Sequence, residues 1–332
     1  MPEAFQQIGA GTCGTVFEQP GSPLVMKRER VHGYEGRGLE NEYNIQARVY
    51  NAFRKYSQNH ELEIQVPRPE RLIRKEEDNR AWWSENAHLF PKDHLEPANL
   101  LQNERIPPLP EAVRELLIDR FCPAQWQTAV VDNPGNKHCL VRPYLGRTKP
   151  SQRRSMFNAF SLRNFNLHLD QCDEIRIDPS CFMHAMADSL ALMHYKVRVN
   201  ARDVEFVLAA APPAATRSST DKHDLLQCKL HFWLLDFNQV LDITMDQAGI
   251  DDAVQAFADN DPYFPRPGRG DGFLWELFKA RYLETSGRIV EKEHQDLPMK
   301  FIQGAELELG ERETRAAAAR ARMQGDFVEQ EC

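Results

Sequence analysis

A glycine-rich string near the N-terminus places the strongest constraint on how this chain can fold. Residues 9–16 read G-x-G-x-x-G-x-V, and the short apolar runs around the glycines predict a strand, a tight turn and a second strand. Lys27 ends a further apolar run thirteen residues after Gly14, and Glu42 follows fifteen residues later. Apolar residues at helical spacing after Glu42 predict that it lies early in a helix.

A glycine loop, a strand lysine and a helix glutamate in this order resemble the N-terminal lobe of protein-kinase-like folds. A plain glycine-rich hairpin is the alternative. In the second half, apolar residues at helical spacing from Phe182 to Met193 predict a buried helix, and residues 203–208 and 230–237 read as strands. We therefore predict an α+β protein-kinase-like two-lobed fold, with a small β-rich N-lobe and a mainly helical C-lobe.

The domain boundaries follow from changes in composition along the 332 residues, a length that suits about two units. We assign residues 1–146 to the N-lobe, with an inserted loop at about 76–110, where the sequence is polar, contains prolines and lacks periodicity. Gly146 is a predicted hinge. Residues 147–303 form the helical lobe, and residues 304–332, rich in Glu, Arg and Ala, are a predicted flexible tail.

The second half departs from the kinase pattern at positions that carry phosphoryl transfer. When H-R-D-x-x-x-x-N is aligned on the strand at 203–208, Ala201 stands at the catalytic aspartate and Phe206 at the metal-binding asparagine. Asp236 resembles the aspartate of D-F-G. Alanine cannot accept a hydroxyl proton and phenylalanine cannot ligate magnesium, so ordinary kinase activity is not expected.

A group of carboxylates is predicted at the same place. Asp203 and Glu205 are two residues apart, so on a strand they face the same side, and with Asp236 they would form a cluster. Such a cluster can bind a guanidinium through paired hydrogen bonds or accept a proton from an amine. The alternative is that the pair faces solvent or pairs with Arg198 and Arg202.

The charge is unevenly distributed. The net charge of −8 argues against a polyanionic partner, yet residues 133–169 contain seven basic residues, several aromatic residues and no acidic residue. Such a segment suits a phosphate backbone with exposed bases; the alternative is a solvated basic face. The predicted contacts to nucleic acid are Arg142, Arg147, Lys149, Arg153, Arg154 and Arg163.

The cysteines and histidines indicate neither a disulfide framework nor a metal site. The seven cysteines include no C-x-x-C pair, and no histidine lies at zinc spacing from two cysteines. The N-terminus lacks a secretory pattern, and no apolar run is long enough to cross a bilayer. We therefore expect a reduced, cytoplasmic protein without a metal and without a membrane partner.

Several strings resemble the fungal arginine-containing cyclodipeptide synthases. These are I-G-A-G-T-C-G-T-V-F at 8–17, N-E-Y-N at 41–44, L-R-N-F-N-L-H-L-D-Q at 162–171, M-A-D-S-L-A at 186–191 with His194, D-V-E-F-V-L at 203–208 and N-D-P-Y-F-P-R-P at 260–267. The resemblance extends from residue 8 to about residue 285. Asn200 departs from the family pattern, in which an aspartate is expected.

The resemblance implies a transferase that takes arginine from arginyl-tRNA and a second aminoacyl group from another aminoacyl-tRNA. The product would be a cyclo(Arg-Xaa) diketopiperazine, typically the first compound of a secondary-metabolite pathway. An aminoacyl ester is already activated, so no cofactor is expected. The implied partners are the two aminoacyl-tRNAs and not DNA; the second amino acid, the order of transfers and the oligomeric state stay open.

The catalytic candidates are Asp203, Glu205 and Asp236, for guanidinium recognition or amine deprotonation. The candidates for substrate binding are Gly9, Gly11, Gly14, Lys27, Glu42, Asp170, Gln171, Asn260 and Asp261. Amides of the glycine loop could hold an oxyanion or a terminal phosphate, and Thr12 and Cys13 are candidate nucleophiles. The alternative function is a kinase-like pseudoenzyme that binds a nucleotide or a protein.

Overall fold

The structure of the chain is a computed structural model. It describes residues 3–11, 13–30, 38–76, 79–148, 160–211, 224–225, 228–268 and 272–329, without the side chains of 224–225 and 323–329. Thr12, Lys149, Arg153 and Arg154 lie outside the described residues. Within the described ranges, none of the helices combines the length and the apolar character that crossing a membrane requires.

The N-terminal region is a five-stranded antiparallel sheet of order β1-β2-β3-β5-β4. Its strands are β1 (Gln6–Ala10), β2 (Gly14–Glu18), β3 (Leu24–Glu29), β4 (Pro69–Ile73) and β5 (Leu100–Glu104). The predicted strand, turn and strand around the glycines are thus confirmed. Gly14 is required by packing, because a Cβ atom there would lie 2.8 Å from the backbone oxygen of Arg28.

Helix α1 (Leu39–Tyr56) follows β3 and carries Glu42 in its first turn. Acidic residues in its first turn and basic residues in its last turn complement the helix dipole. Its predicted apolar stripe is confirmed, since Ile45, Val49 and Phe53 are buried. These side chains join the large core of the C-terminal region, so α1 connects that core to the sheet.

The prediction of an inserted loop at 76–110 is wrong. This segment contains helix α2 (Arg80–Asn86) and β5, which pairs between β3 and β4 in the middle of the sheet. Leu100 and Leu101 are both fully buried. Two adjacent buried residues in a polar string produce no alternation, so the sequence pattern could not reveal this strand.

A second five-stranded sheet, of order β7-β6-β8-β10-β9, lies in the C-terminal region. Its strands are β6 (Val141–Tyr144), β7 (Phe165–His168), β8 (Glu205–Ala210), β9 (Asp224–Leu225) and β10 (Cys228–Leu235). The β6–β7 pair is parallel and the others are antiparallel. Strands are found at both predicted places, but β8 begins at Glu205 and β10 ends at Leu235, so Asp203 and Asp236 lie outside them.

The boundary at residue 146 is also wrong, because β6 belongs to this second sheet and helix α3 (Glu111–Phe121) packs into its core. Gly146, the predicted hinge, lies in close contact with a distant chain segment. Its N–H donates to the backbone oxygen of Pro262 at 2.9 Å, and a Cβ atom there would lie 2.3 Å from the backbone oxygen of Phe264. Glycine therefore permits a close approach of two chain segments at this position.

Helices complete the C-terminal region. They are α3 (Glu111–Phe121), α4 (Gln127–Val131), α5 (Leu169–Glu174), α6 (Pro179–Leu192), α7 (Gln247–Asp259), α8 (Gly272–Ile289) and α9 (Leu297–Glu329). Ten of the fourteen residues of α6 are buried, in line with the buried helix that the sequence predicted, and α6 packs against α8. The chain is therefore α+β, with a β-sheet N-terminal region and a helical C-terminal part.

The predicted tail does not begin at residue 304, because α9 runs from Leu297 to Glu329. Gly304 lies against α7, where its Cβ atom would be 2.9 Å from a methyl group of Val254. Arg312 then binds the end of α7 through the backbone oxygen of Ala258 at 3.0 Å and the carboxylate of Asp259 at 2.8 Å. The first half of the predicted tail is thus a packed helix.

Candidate active site

A cavity of about 480 Å³ is lined by strands of both sheets. It brings together residues that are more than two hundred positions apart in the sequence. The candidate residues along its wall are Gly9, Gly11, Gly14, Lys27, Glu42, Arg142, Arg163, Asp203, Glu205, Asp236 and Asp261. Most of the residues that the sequence selected therefore share one site.

Lys27 connects the two sheets at this site. Its Nζ atom donates to both carboxylate oxygens of Glu42 at 2.8 Å and to Oδ1 of Asp236 at 2.9 Å. Asp236 follows β10 in a left-handed backbone conformation with φ 62°. Burial lowers the pKa of Lys27, but the carboxylates of Asp236 and Glu42 outweigh this effect and raise the pKa above its ordinary value.

Glu205 is held by a cation from the neighbouring strand. Arg142 of β6 donates through Nη2 to both carboxylate oxygens of Glu205 at 2.6 Å. Burial nevertheless raises the pKa of Glu205 to about 7, against the opposing effect of Arg142; Asp236 and Asp203 raise it further. A carboxyl group with this pKa can accept and return a proton near neutral pH.

Asp203 lies outside the strand that the sequence predicted for it. It occupies a turn before β8 with φ 58°, and its carboxylate accepts a hydrogen bond from Gln239 at 2.5 Å. Burial raises its pKa, with further contributions from Asp236 and Asp261. The expected alternative partners are engaged elsewhere, since Arg198 pairs with Glu291 and Arg202 pairs with Asp259.

The cavity contains more hydrogen-bond acceptors than cations to match them. Asp261 accepts a hydrogen bond from Tyr144 at 2.5 Å. Among the described residues, neither Asp203 nor Asp261 has a basic side chain within ion-pair distance. The buried side-chain oxygen of Asn238, which also lines the cavity, has no hydrogen-bond partner there either. The carboxylates of Asp203 and Asp261 make this end of the cavity suited to a ligand that donates hydrogen bonds and carries positive charge.

Two candidates for substrate binding lie elsewhere. Gln171 is buried at the start of α5, where Oε1 accepts from the backbone N–H of His168 at 3.1 Å and completes a capping box. Asp170 is exposed next to it and does not line the cavity. Neither residue lines the cavity, because the sequence pattern there caps a helix; their contact with substrate stays a prediction.

Asn260 supports the site without lining it. Its side chain is buried, and both of its polar atoms bind the backbone around Asp203. Asn260 does not line the cavity, whereas the neighbouring Asp261 does; the predicted contact of Asn260 with substrate stays a prediction.

The glycine loop offers fewer groups for ligand binding and catalysis than the sequence indicated. The backbone N–H of Gly11 donates to the backbone oxygen of Gly14 at 2.9 Å, so this amide closes the turn and is not directed at a ligand. Cys13 also lines the cavity. Burial and then Asp236 raise the pKa of its thiol, which disfavours the nucleophilic thiolate.

The basic candidates divide into two kinds. Arg142 is partly buried and paired with Glu205, and its predicted contact with nucleic acid stays a prediction. Arg147 and Arg163 are exposed, and Arg163 lies at the cavity wall.

Sequence reasoning missed the Arg142–Glu205 pair and the buried, unpartnered side-chain oxygen of Asn238. Arg142 and Glu205 are 63 positions apart and meet only because β6 and β8 are neighbours in the second sheet. The position of Asn238, where D-F-G has glycine, was the only sequence signal for that residue.

A protein-family model described as "DUF3669: Zinc finger protein" matches residues 232–294. The matched segment includes Asp236 and Asp261 and contains no cysteine and a single histidine. A solved structure titled "Structure of the microcompartment-associated aminopropanol kinase" is similar at 10% identity, covering 91% of this chain and 90% of that chain, with a TM-score of 0.28. No curated protein matches the sequence.

Proposed function

We propose that the protein is a tRNA-dependent cyclodipeptide synthase with a protein-kinase-like two-lobed fold. It joins arginine from arginyl-tRNA to a second aminoacyl group and releases a cyclo(Arg-Xaa) diketopiperazine. The reaction takes place in the cytoplasm, where charged tRNAs are available, and begins a secondary-metabolite pathway. The contact of Lys27 with both Glu42 and Asp236 supports the proposed fold.

The observation that carries the proposal is the excess of acceptors at one end of the cavity. Asp203 and Asp261 both line the cavity and lack a cationic partner among the described residues. A guanidinium group has five N–H donors in one plane and a permanent positive charge, so it matches this set of acceptors. Arginine is therefore the substrate side chain that this end of the cavity accepts.

The positions of Ala201 and Phe206 support acyl transfer over phosphoryl transfer. Both side chains are fully buried, and neither can ligate magnesium or accept a proton. The remaining D-F-G-like carboxylate, Asp236, binds Lys27. An aminoacyl ester needs no phosphoryl activation, so the residues present are sufficient for its chemistry.

Glu205 acts as the base in this mechanism. It takes a proton from the α-ammonium group of one aminoacyl substrate, and the resulting amine attacks the ester carbonyl carbon of the other. A C–N bond forms and the C–O ester bond breaks. The departing ribose oxygen takes up the proton held by Glu205, and the attacking nitrogen then gives its surplus proton to Glu205, which passes it to solvent before the second attack. A second attack of the same kind closes the ring and releases the second tRNA. Arg142 holds the carboxylate of Glu205 in place throughout.

The exposed side chains of Arg147 and Arg163 support tRNA as the partner. Arg163 lines the cavity wall, where an aminoacyl end inserted into the cavity would bring a phosphate backbone near it.

The direct test incubates the purified protein with charged tRNAs in the absence of ATP. We expect a cyclic dipeptide that contains arginine, detected by mass spectrometry, and no product when arginyl-tRNA is omitted. Uncharged tRNA and ATP are tested separately by calorimetry. If every aminoacyl pair gives no product while ATP or a protein partner binds, the pseudoenzyme function replaces the proposed one.

The pKa of Glu205 predicts the pH dependence of the reaction. A base is active when deprotonated, so the rate should rise with pH and level off above about 7, the pKa of this group. The measurement is the initial rate of product formation between pH 5.5 and 8.5, corrected for spontaneous ester hydrolysis.

The variant Arg142→Gln distinguishes the titration of Glu205 from that of the substrate amine, which also titrates in this pH range. Arg142 lowers the pKa of Glu205, so its removal should move the rise in rate to higher pH. The pKa of the substrate amine in solution does not depend on Arg142. If the pH at which the rate rises is the same in this variant as in the wild type, the assignment of Glu205 as the base is contradicted.

A further inference from the structure

The turn that carries Asp203 has an unfavourable backbone conformation at two of its residues. Ala201 has φ 54° and Asp203 has φ 58°. These values lie in the left-handed region, which is disfavoured for residues with a Cβ atom and is usually occupied by glycine. Two such residues so close together, at the edge of the cavity, need support from the surrounding structure.

Two buried asparagines supply this support. The Oδ1 atom of Asn260 accepts from the backbone N–H of Asp203 at 2.6 Å, and its Nδ2 atom donates to the backbone oxygen of Ala201 at 2.9 Å. The Oδ1 atom of Asn200 accepts from the backbone N–H of Arg202 at 3.1 Å. The exposed fractions are 6% for Asn260 and 5% for Asn200, so water does not replace these bonds.

Asn260 is itself fixed by the end of α7. Its backbone N–H donates to the backbone oxygen of Ala256 at 3.0 Å, and its backbone oxygen accepts from Arg266 at 2.8 Å. The next residue, Asp261, lies in the cavity. One rigid segment therefore places Asp261 directly and Asp203 through the side chain of Asn260.

We propose that Asn260 is a positioning residue that holds the turn at 200–203 so that the carboxylate of Asp203 faces the bound arginine. Asn200 assists from within the turn. Both polar atoms of the Asn260 side chain are used in bonds to the turn, and the residue does not line the cavity, so its effect on substrate passes through Asp203. The role toward arginine rests on the proposed function; the support of the turn does not.

The first test measures amide hydrogen exchange and needs no enzymatic activity. Asn260→Ala should accelerate exchange in a peptide that covers residues 200–205, because the turn loses two of its hydrogen bonds. The matched control is Thr285→Val, which removes a buried hydrogen bond to Asp188 in the α6–α8 pair. If amide exchange at residues 200–205 is as slow in Asn260→Ala as in the control, the proposal is overturned.

A second variant covers the case in which Asn260→Ala does not fold. Asn260→Asp keeps an oxygen for the N–H of Asp203 but loses the donor to Ala201. Its exchange at 200–205 should be faster than in the wild type, and exchange equal to that of the wild type overturns the proposal.

The second test is a double-mutant cycle on kcat/KM for arginyl-tRNA. Asn260→Ala should lower this value by about 100-fold, the size expected when a binding group is displaced by about 1 Å. If Asn260 acts through Asp203, the double variant with Asp203→Asn should be no worse than Asp203→Asn alone. Additive losses would assign Asn260 a merely structural role. A wild-type protein without activity would refute the proposed function, while the exchange result still decides the role of Asn260 in the turn.

Discussion

Glu205→Gln is expected to reduce the formation of the cyclic dipeptide by about 10²–10⁴-fold, the usual contribution of a positioned acid or base. Glutamine has nearly the same shape as glutamate, so the cavity keeps its form, but an amide cannot take a proton from an ammonium group. The variant also leaves Arg142 bound to a neutral partner. The initial rate of product formation above pH 7.5, where wild-type Glu205 is deprotonated, measures the effect.

A matched control for this variant is Glu291→Gln. Glu291 accepts two hydrogen bonds from Arg198 at 2.9 and 3.0 Å, so it forms the same kind of pair, but it lies outside the cavity. Product formation by this control should match the wild type. If Glu205→Gln keeps more than half of the wild-type rate, Glu205 is not the base, and Asp203, whose pKa is also raised by burial, becomes the candidate to test.

Lys27→Met is expected to lower the free energy of unfolding by about 3–5 kcal/mol, the usual cost of removing one partner from a buried ion pair. The Glu42 side chain is only 3% exposed and would lose the single cation that contacts it among the described residues. Asp236 would lose the same partner. The midpoint and slope of urea unfolding provide the measurement.

The double variant Lys27→Met with Glu42→Gln is the control for this prediction. Glutamine removes the buried charge that Lys27→Met leaves without a partner, so the double variant should recover part of the lost stability. A loss below 1 kcal/mol in Lys27→Met, or two losses that simply add in the double variant, would contradict the buried-pair interpretation.

The parts of the fold that could be predicted from the sequence are those with strong local patterns. The glycine turn, the stripe of α1 and the helix α6 each have a spacing that repeats within a few residues, and all three are confirmed. Strand β5 and the packing of Gly146 have no such local signal. Their positions depend on pairing with distant segments. The spacing of residues within one stretch of sequence does not predict such pairing.

The same distinction applies to the site. Lys27, Glu42 and Asp236 could be selected because their order and spacing match a known pattern. The structure places the carboxylates of Glu42 and Asp236 2.8 and 2.9 Å from Nζ of Lys27. Asp170 and Gln171 were selected from a string of similar quality, yet they form the start of a helix. A motif identifies residue types but does not specify which side chains point into a cavity.

The sequence by itself determined which chemical groups are available: a strand lysine, a cluster of carboxylates, and alanine and phenylalanine where phosphoryl transfer needs polar groups. Only the tertiary structure decided how those groups are used. Glu205 acquires Arg142 as its partner, and Asp203 acquires Asn260 as its support, across 63 and 57 positions of sequence. The physical reason is that burial and non-local hydrogen bonds set the pKa and the orientation of each carboxylate, and both arise only when the sheets and α7 pack together.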